Sequence, residues 1–250
     1  MSDQLLEGRV ALVTGGSRGL GREIVRAYAA AGADVIIASR TLESCVELAT
    51  EIESATGRRA VPVAADVGRW DDCDALVEAA YDAFGRVDVL VNNAGMSPTY
   101  PSPGAVTEKL WDKTIGVNLK GPFRLTASIG ERMVAGDGGA IINITSVMSV
   151  RVDGTVLPYA AAKAGLTALT EGFARAFGPT VRVNAIQCGM FRTDIAEAWD
   201  MDVATKFARR QLALRRIAEA PEIVGAALFL ATDRSSYCTG STVRLDGGYP

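Results

Sequence analysis

"RVALVTGGSRGLGREIVRAYAAAG", residues 9–32, decides the fold. Its first seven residues form an almost unbroken apolar run, as expected of a parallel strand covered on both faces. Its second half has the spacing of an amphipathic helix and reaches Gly32, a residue suited to ending one. Between them lies "TGGSRGLG", residues 14–21. In this setting Gly15 permits the tight turn, Gly19 lets a pyrophosphate approach the backbone, and Gly21 lets helix pack on strand. Ser17, Arg18 and Leu20 complete the turn and open the helix, whose free N–H groups and positive dipole end suit phosphate. A glycine-rich turn without a ligand is the alternative, because the pattern in isolation is a weak signal and the spacing is G-x-x-x-G-x-G. The strand–turn–helix context favours the nucleotide.

The same rhythm runs outward along the chain. Strands are expected at 9–15, 34–39, 60–65, 87–95, 140–146, 181–187 and 241–247, with amphipathic segments between them and Gly57 as a second helix stop. Alternating β and α predicts a Rossmann-type, doubly wound α/β fold of about seven parallel strands with helices on both faces. No repeat or linker divides residues 1–250, so one domain is expected. Two segments depart from the rhythm. Residues 96–106, "MSPTYPSPGAV", carry three prolines and predict an extended loop. Residues 194–216 have a helical pattern where a simple crossover would suffice, and predict a substrate lid.

Composition narrows the chemistry. Across 250 residues, 26 basic and 29 acidic side chains give a formal charge of −3, which offers no polyanion such as nucleic acid a counter-surface. No leader-like start and no apolar run of membrane-spanning length is read, so a cytoplasmic protein without a membrane partner is expected. Four scattered cysteines form no C-x-x-C pair and imply neither metal nor disulfide. There is no histidine. That removes a Ser-His-Asp hydrolase and leaves open which side chain would move protons near neutral pH.

"PYAAAKAGL", residues 158–166, offers an answer. Residues four apart share a helix face, so Tyr159 and Lys163 can point together, and Pro158 suits a first helical turn. A phenol of ordinary pKa, about 10, is a poor base. A nearby ammonium would stabilise phenolate and lower that value, and so would a positive charge on a bound nucleotide cofactor. Tyr159 can then give a proton to a carbonyl oxygen or take one from an alcohol.

T-G-x-x-x-G-x-G after the first strand, "NNAG" at 92–95, Asn118 in "VNLKG", Ser146 and Y-x-x-x-K at 159–163 together resemble the short-chain dehydrogenase/reductase family, over essentially the whole chain. The resemblance implies that Ser146 hydrogen-bonds the substrate oxygen and that Lys163 also holds the nicotinamide ribose. Asn118 would hold a water beside Lys163. It further implies adenosine contacts from Asp66, Val67, Asn92, Ala94 and Gly95, and nicotinamide contacts from Gly189 and Thr193. Where NAD-using members carry Asp at the end of the second strand, this chain has Ser39 followed by Arg40. With Arg18, two guanidiniums can grip a ribose 2′-phosphate, which makes NADP the expected cofactor and NAD the less favoured one. Cys188 stands where the family has proline, which frees a backbone dihedral and puts the rigidity of that loop in question.

Substrate contacts are expected from Ser97, Met148 and Met190, with Met96 beside them. The resulting reading is an NADP-dependent oxidoreductase interconverting a ketone or aldehyde with an alcohol. A 3-oxoacyl thioester and a sugar or polyol are both open as substrates. The alternative is an NADP-binding regulator or scaffold without chemistry. The resemblance also implies a homotetramer, paired through the helices at about 107–135 and 158–178, with a dimer as alternative.

Overall fold

The computed structural model describes residues 4–193 and 200–250. Seven strands form one parallel sheet: β1 (Val10–Thr14), β2 (Asp34–Ser39), β3 (Ala60–Ala64), β4 (Val89–Asn92), β5 (Gly139–Ser146), β6 (Val181–Cys188) and, last in the chain, β9 (Thr242–Leu245). Their order is β3-β2-β1-β4-β5-β6-β9, so the winding reverses between β1 and β4. Side chains of β1, β2, β4 and β5 are buried almost throughout, which is why these strands read as continuous apolar runs. The seven expected strands are thus all present. A further pair of two-residue strands, β7 (Phe191–Arg192) and β8 (Ala218–Glu219), forms a small separate sheet.

One face of the main sheet is covered by α1 (Gly19–Ala30), α2 (Leu42–Thr56) and α8 (Val224–Ala231), whose Ile24, Tyr28, Leu48, Ile52 and Leu230 join the strands in one core. The other face is covered by α3 (Trp70–Phe84), α5 (Gly121–Ala135) and α6 (Leu157–Phe177), through Leu76, Leu125, Ile129, Met133 and Phe177. At roughly 25 cal/mol per Å² of buried apolar surface, two such layers are the main driving force for the fold.

The helical stretch from 107 to 135 is not one regular helix. α4 (Glu108–Ile115) passes into a π-helical turn, Gly116–Lys120, before α5 begins. A π turn inserts an extra residue and commonly marks a functional position. In the segment expected to be a lid, residues 200–216 contain α7 (Met201–Gln211), started by the Asp200 carboxylate accepting from the N–H groups of Asp202 and Val203. Residues 194–199 lie outside the described residues. Ala204, Ala208 and Leu212 seat α7 with Ile217, Met190 and Tyr249 in a small satellite core.

Candidate active site

A cleft of ≈ 540 Å³ opens along the carboxyl ends of the strands, over the point where the winding reverses. Open α/β sheets bind ligands at such a switch point. The glycine-rich turn forms its floor. Gly15 has φ +60°, and a Cβ on it would lie 2.9 Å from the Ala94 Cα. A Cβ on Gly21 would fall 2.1 Å from the Gly15 carbonyl oxygen, so the turn closes only around a glycine there. Gly19 differs: its Cβ would meet only Thr193, at 3.4 Å, on the open side of the turn. This is a cradle whose missing side chain leaves room for a bulky anion at the start of α1, and it fits a dinucleotide pyrophosphate.

Thr14, at the end of β1, ties this turn to the next strand. Its hydroxyl accepts from the N–H groups of Asn93 (3.0 Å) and Ala94 (3.1 Å), while Asn93 Nδ2 donates to the carbonyls of Thr14 and Gly15. Asn93, not Asn92, therefore lines the cleft. Asn92 is 1% exposed and turns into the core, where its Nδ2 donates to Thr126 Oγ1 and Asn143 Oδ1. Successive strand residues face opposite ways, so the two asparagines of "NNAG" send their side chains to opposite sides of the sheet. The Asn92 side chain serves the core, and a cofactor contact at this position would come from its backbone.

Around the starts of α1 and α2, Ser17, Arg18, Leu20, Ser39, Arg40, Asp66, Val67, Ala94 and Gly95 line the cleft. Thr41 and Ser44 line it too, at the start of α2, and were not anticipated. The signal was available: Thr41 follows Arg40 and Ser44 lies in the first turn of α2, at a helix N-terminus that favours an anion. Ser39 Oγ is engaged by the protein, accepting from the Thr41 N–H (3.3 Å) and lying 3.1 Å from the Cys45 sulfur. Arg18 and Arg40 are the cationic residues among the lining here.

At the other end Ser146, Tyr159, Lys163, Ser97, Gly189 and Thr193 converge with Met96, Ile144, Cys188 and Phe191. Ser146 is the last residue of β5. Tyr159 and Lys163 lie in the first two turns of α6, after Pro158 in its opening turn. Tyr100 secures that start: its hydroxyl accepts from the Leu157 N–H (2.6 Å) and donates to the Gly154 carbonyl (3.0 Å). One otherwise unsatisfied helix donor is thus met from the proline-containing loop.

Lys163 is only 3% exposed and its Nζ donates to the Ile144 carbonyl at 2.7 Å, 5.7 Å from the centre of the Tyr159 ring. Burial lowers its pKa to about 8. Burial also pushes the Tyr159 phenol up to about 12, with the facing Ser146 hydroxyl opposing the rise. Low polarity thus works against both charges, and the ammonium by itself does not make the phenol acidic. Cys188 is pushed up to about 12 for the same reason, which makes it a packing group and not a ready nucleophile.

Asn118 is fully buried at the centre of the π turn and does not line the cleft. Its Nδ2 donates to the carbonyls of Met96 (2.8 Å) and Thr114 (2.9 Å), and its Oδ1 accepts from the Met96 N–H. A Cβ on Gly95 would come within 3.0 Å of that oxygen and 3.7 Å of Lys163 Nζ, so Gly95 separates two polar groups at close quarters. Met148 and Met190 also fall outside the lining. The Met148 N–H donates to Ser146 Oγ (3.2 Å), and Met190 packs beneath α7. Both therefore support the cleft from behind its lining.

The chain is similar to known proteins. The short chain dehydrogenase profile matches residues 9–204. "Short chain dehydrogenase/reductase astE" of Aspergillus oryzae is 38% identical over 248 residues, covering 97% of this chain and 95% of that one. "3-oxoacyl-[acyl-carrier-protein] reductase FabG" of Thermotoga maritima is 35% identical over 244 residues, covering 97% and 98%. Among solved structures, a gluconate 5-dehydrogenase from Burkholderia cenocepacia in complex with NADP and tartrate superposes with a TM-score of 0.93 at 32% identity, over 99% of this chain and 97% of that one. On its sequence, its sheet and its relatives, this chain belongs to the short-chain dehydrogenase/reductase family.

Proposed function

We propose that this chain is an NADP-dependent oxidoreductase interconverting a ketone or aldehyde and an alcohol by hydride transfer, with Tyr159 as general acid and base. The observation that carries the reading is one cleft with Arg18 and Arg40 at one end and Ser146, Tyr159 and Lys163 at the other. The nicotinamide, when bound, supplies or accepts the hydride. In the reducing direction the Tyr159 hydroxyl gives its proton to the oxygen of the carbonyl as that oxygen gains charge. Ser146 donates a hydrogen bond to the same oxygen. Lys163 favours the phenolate left behind, and in the oxidising direction that phenolate takes the alcohol proton back. Asn118 holds Met96 and Gly95 against Lys163 and keeps a polar path beside its ammonium.

The similarity to a 3-oxoacyl reductase and to a gluconate dehydrogenase keeps both a 3-oxoacyl thioester and a polyhydroxy carbonyl as candidate substrates. Ser97 is the cleft residue proposed to contact them, with α7 as part of a lid over a single domain. Trp111 and Phe123, exposed on α4 and α5, stand on the helices proposed to pair subunits into a homotetramer. No helix among the described residues is long and apolar enough to cross a membrane, and the four cysteines are free thiols, which suits the cytoplasm proposed for it.

The test is turnover of NADPH and NADH against a panel of 3-oxoacyl thioesters and polyhydroxy ketones. Tyr159→Phe should lose turnover while retaining NADPH affinity. Replacing Arg18 and Arg40 by Ala should weaken NADPH much more than NADH. A Tyr159→Phe protein with a near-normal rate defeats the chemical reading, and a preference for NADH defeats the cofactor assignment.

A further inference from the structure

We infer that Gln187 is a positioning residue, aligning Ser146 for proton transfer through the hydroxyl of Ser149. The inference rests on the proposed roles of Ser146 and Tyr159. Gln187 is 4% exposed, on β6 opposite Thr145 of β5, beneath the short 3₁₀ turn Val147–Ser149. Its Nε2 donates to Ser149 Oγ at 3.0 Å, and Ser149 Oγ donates to the Ser146 carbonyl at 2.7 Å. A hydroxyl has one proton. By occupying a lone pair of Ser149, the amide of Gln187 commits that proton to the Ser146 backbone.

The side chain of Ser146 is fixed from the same turn. Its Oγ accepts from the Met148 N–H at 3.2 Å, so its own proton is left to point outward, toward Tyr159 and a reacting oxygen. Three hydrogen bonds therefore link Gln187, Ser149, Ser146 and Met148 in one chain. Together they fix both the backbone and the hydroxyl of Ser146. A donor that must meet charge developing on a reacting oxygen gains most from such preorganisation. A buried glutamine amide also disfavours any arrangement in which it has no acceptor, so the turn is held to this geometry.

The experiment measures NADPH-dependent reduction of the fastest substrate of the panel above by Gln187→Met, Ser149→Ala, Ser149→Thr and the Gln187→Met/Ser149→Ala double variant. Methionine matches glutamine in length and leaves no unpaired polar atom. Each of Gln187→Met and Ser149→Ala should lower kcat about tenfold, the size expected from one hydrogen bond. The double variant should lose little more than either alone, since both cut the same relay. Ser149→Thr should return kcat to within about twofold of the parent. The basic limb of the reaction against pH should move upward in the impaired variants, while NADPH affinity read by fluorescence stays unchanged. Parental kcat in Gln187→Met or Ser149→Ala, additive losses, or an equal loss of NADPH affinity would overturn the inference. If Gln187→Met fails to fold by thermal melting, the Ser149 pair decides alone. Tyr159→Phe, run alongside, separates the two readings: its retained activity refutes the underlying chemistry, whereas its inactivity beside a normal Ser149→Ala refutes only the relay.

Discussion

Lys163→Met should make the protein more resistant to unfolding near neutral pH while abolishing turnover. Lys163 is 3% exposed, and burial brings its pKa from 10.5 to about 8. Because the folded-state pKa lies below the unfolded one, its contribution to stability is fully present above about 10.5 and is lost as pH falls through about 8. At about 1.36 kcal/mol per pH unit, the cost of protonating the buried amine approaches ~3 kcal/mol at neutral pH. The variant removes this cost but leaves the Ile144 carbonyl without its partner, a pH-independent loss of about 1–3 kcal/mol. The pH dependence therefore isolates the effect. Urea unfolding of both proteins from about pH 7 to about 9.5 should show the parent gaining about 2 kcal/mol relative to the variant. In melting temperature this is a convergence of about 4–8 °C for a chain of this size. Parallel stability curves for the two proteins over that range would refute the reasoning, because the ammonium would then cost the fold nothing.

Gly19→Ala should cost only about 1–2 kcal/mol of stability, the penalty of a left-handed residue, yet weaken NADPH more than tenfold as measured by fluorescence, because its methyl would project into the cradle. Gly21→Ala, with its Cβ 2.1 Å from a carbonyl oxygen, should instead destabilise the whole turn, visible as a lower melting temperature without ligand. Cys188, lining the cleft and buried, should react slowly with iodoacetamide and more slowly still with NADP bound, while equal rates in both states would remove it from the cleft. Lys163, brought to about 8, has lost its proton before a phenol at about 12 ionises, so it cannot by itself bring Tyr159 to neutrality. Ultraviolet difference titration should therefore find Tyr159 ionising at clearly lower pH with NADP⁺ than with NADPH or with neither, and identical curves would contradict this.

The inner strands of the sheet were legible because they are buried on both faces and announce themselves as apolar runs. The glycine turn was legible because backbone contacts exclude a Cβ at Gly15 and Gly21. Harder to read were features created by side chains meeting across the fold. The apolar run at 87–95 shortens to Val89–Asn92, since Asn93 and Ala94 leave the sheet to bond Thr14. Asp88 is drawn inward by the N–H of Val10 and by Arg9 and Arg86. The π turn around Asn118 depends on its bonds to Met96, 22 residues away in sequence, which no local periodicity records. The opposed pKa changes of Tyr159 and Lys163 come from burial, which spacing along a helix cannot report.

Cys188 shows how the fold replaces a rigid residue with a rigid environment. A proline there would fix one backbone dihedral and offer no N–H. With cysteine, β6 continues through residue 188 and pairs on both sides, with Ser146 of β5 and Leu245 of β9. The ladder then extends one step further, the Gly189 N–H donating to the Leu245 carbonyl at 2.8 Å. Beyond it, a Cβ on Gly189 would lie 2.6 Å from the Asp246 Cα, so the chain passes close against the following segment. Asp246 is itself held, accepting from Arg244 Nε (2.9 Å) and from the Gly248 N–H (3.0 Å). Each hydrogen bond contributes about 1 kcal/mol net, so a few of them outweigh the conformational freedom that one proline would remove, about 0.4–1 kcal/mol. The loop carrying Gly189 and Phe191 to the cleft is therefore fixed by its neighbours, and the same extension of β6 keeps Gln187 in the sheet beneath Ser149, one residue before the strand ends.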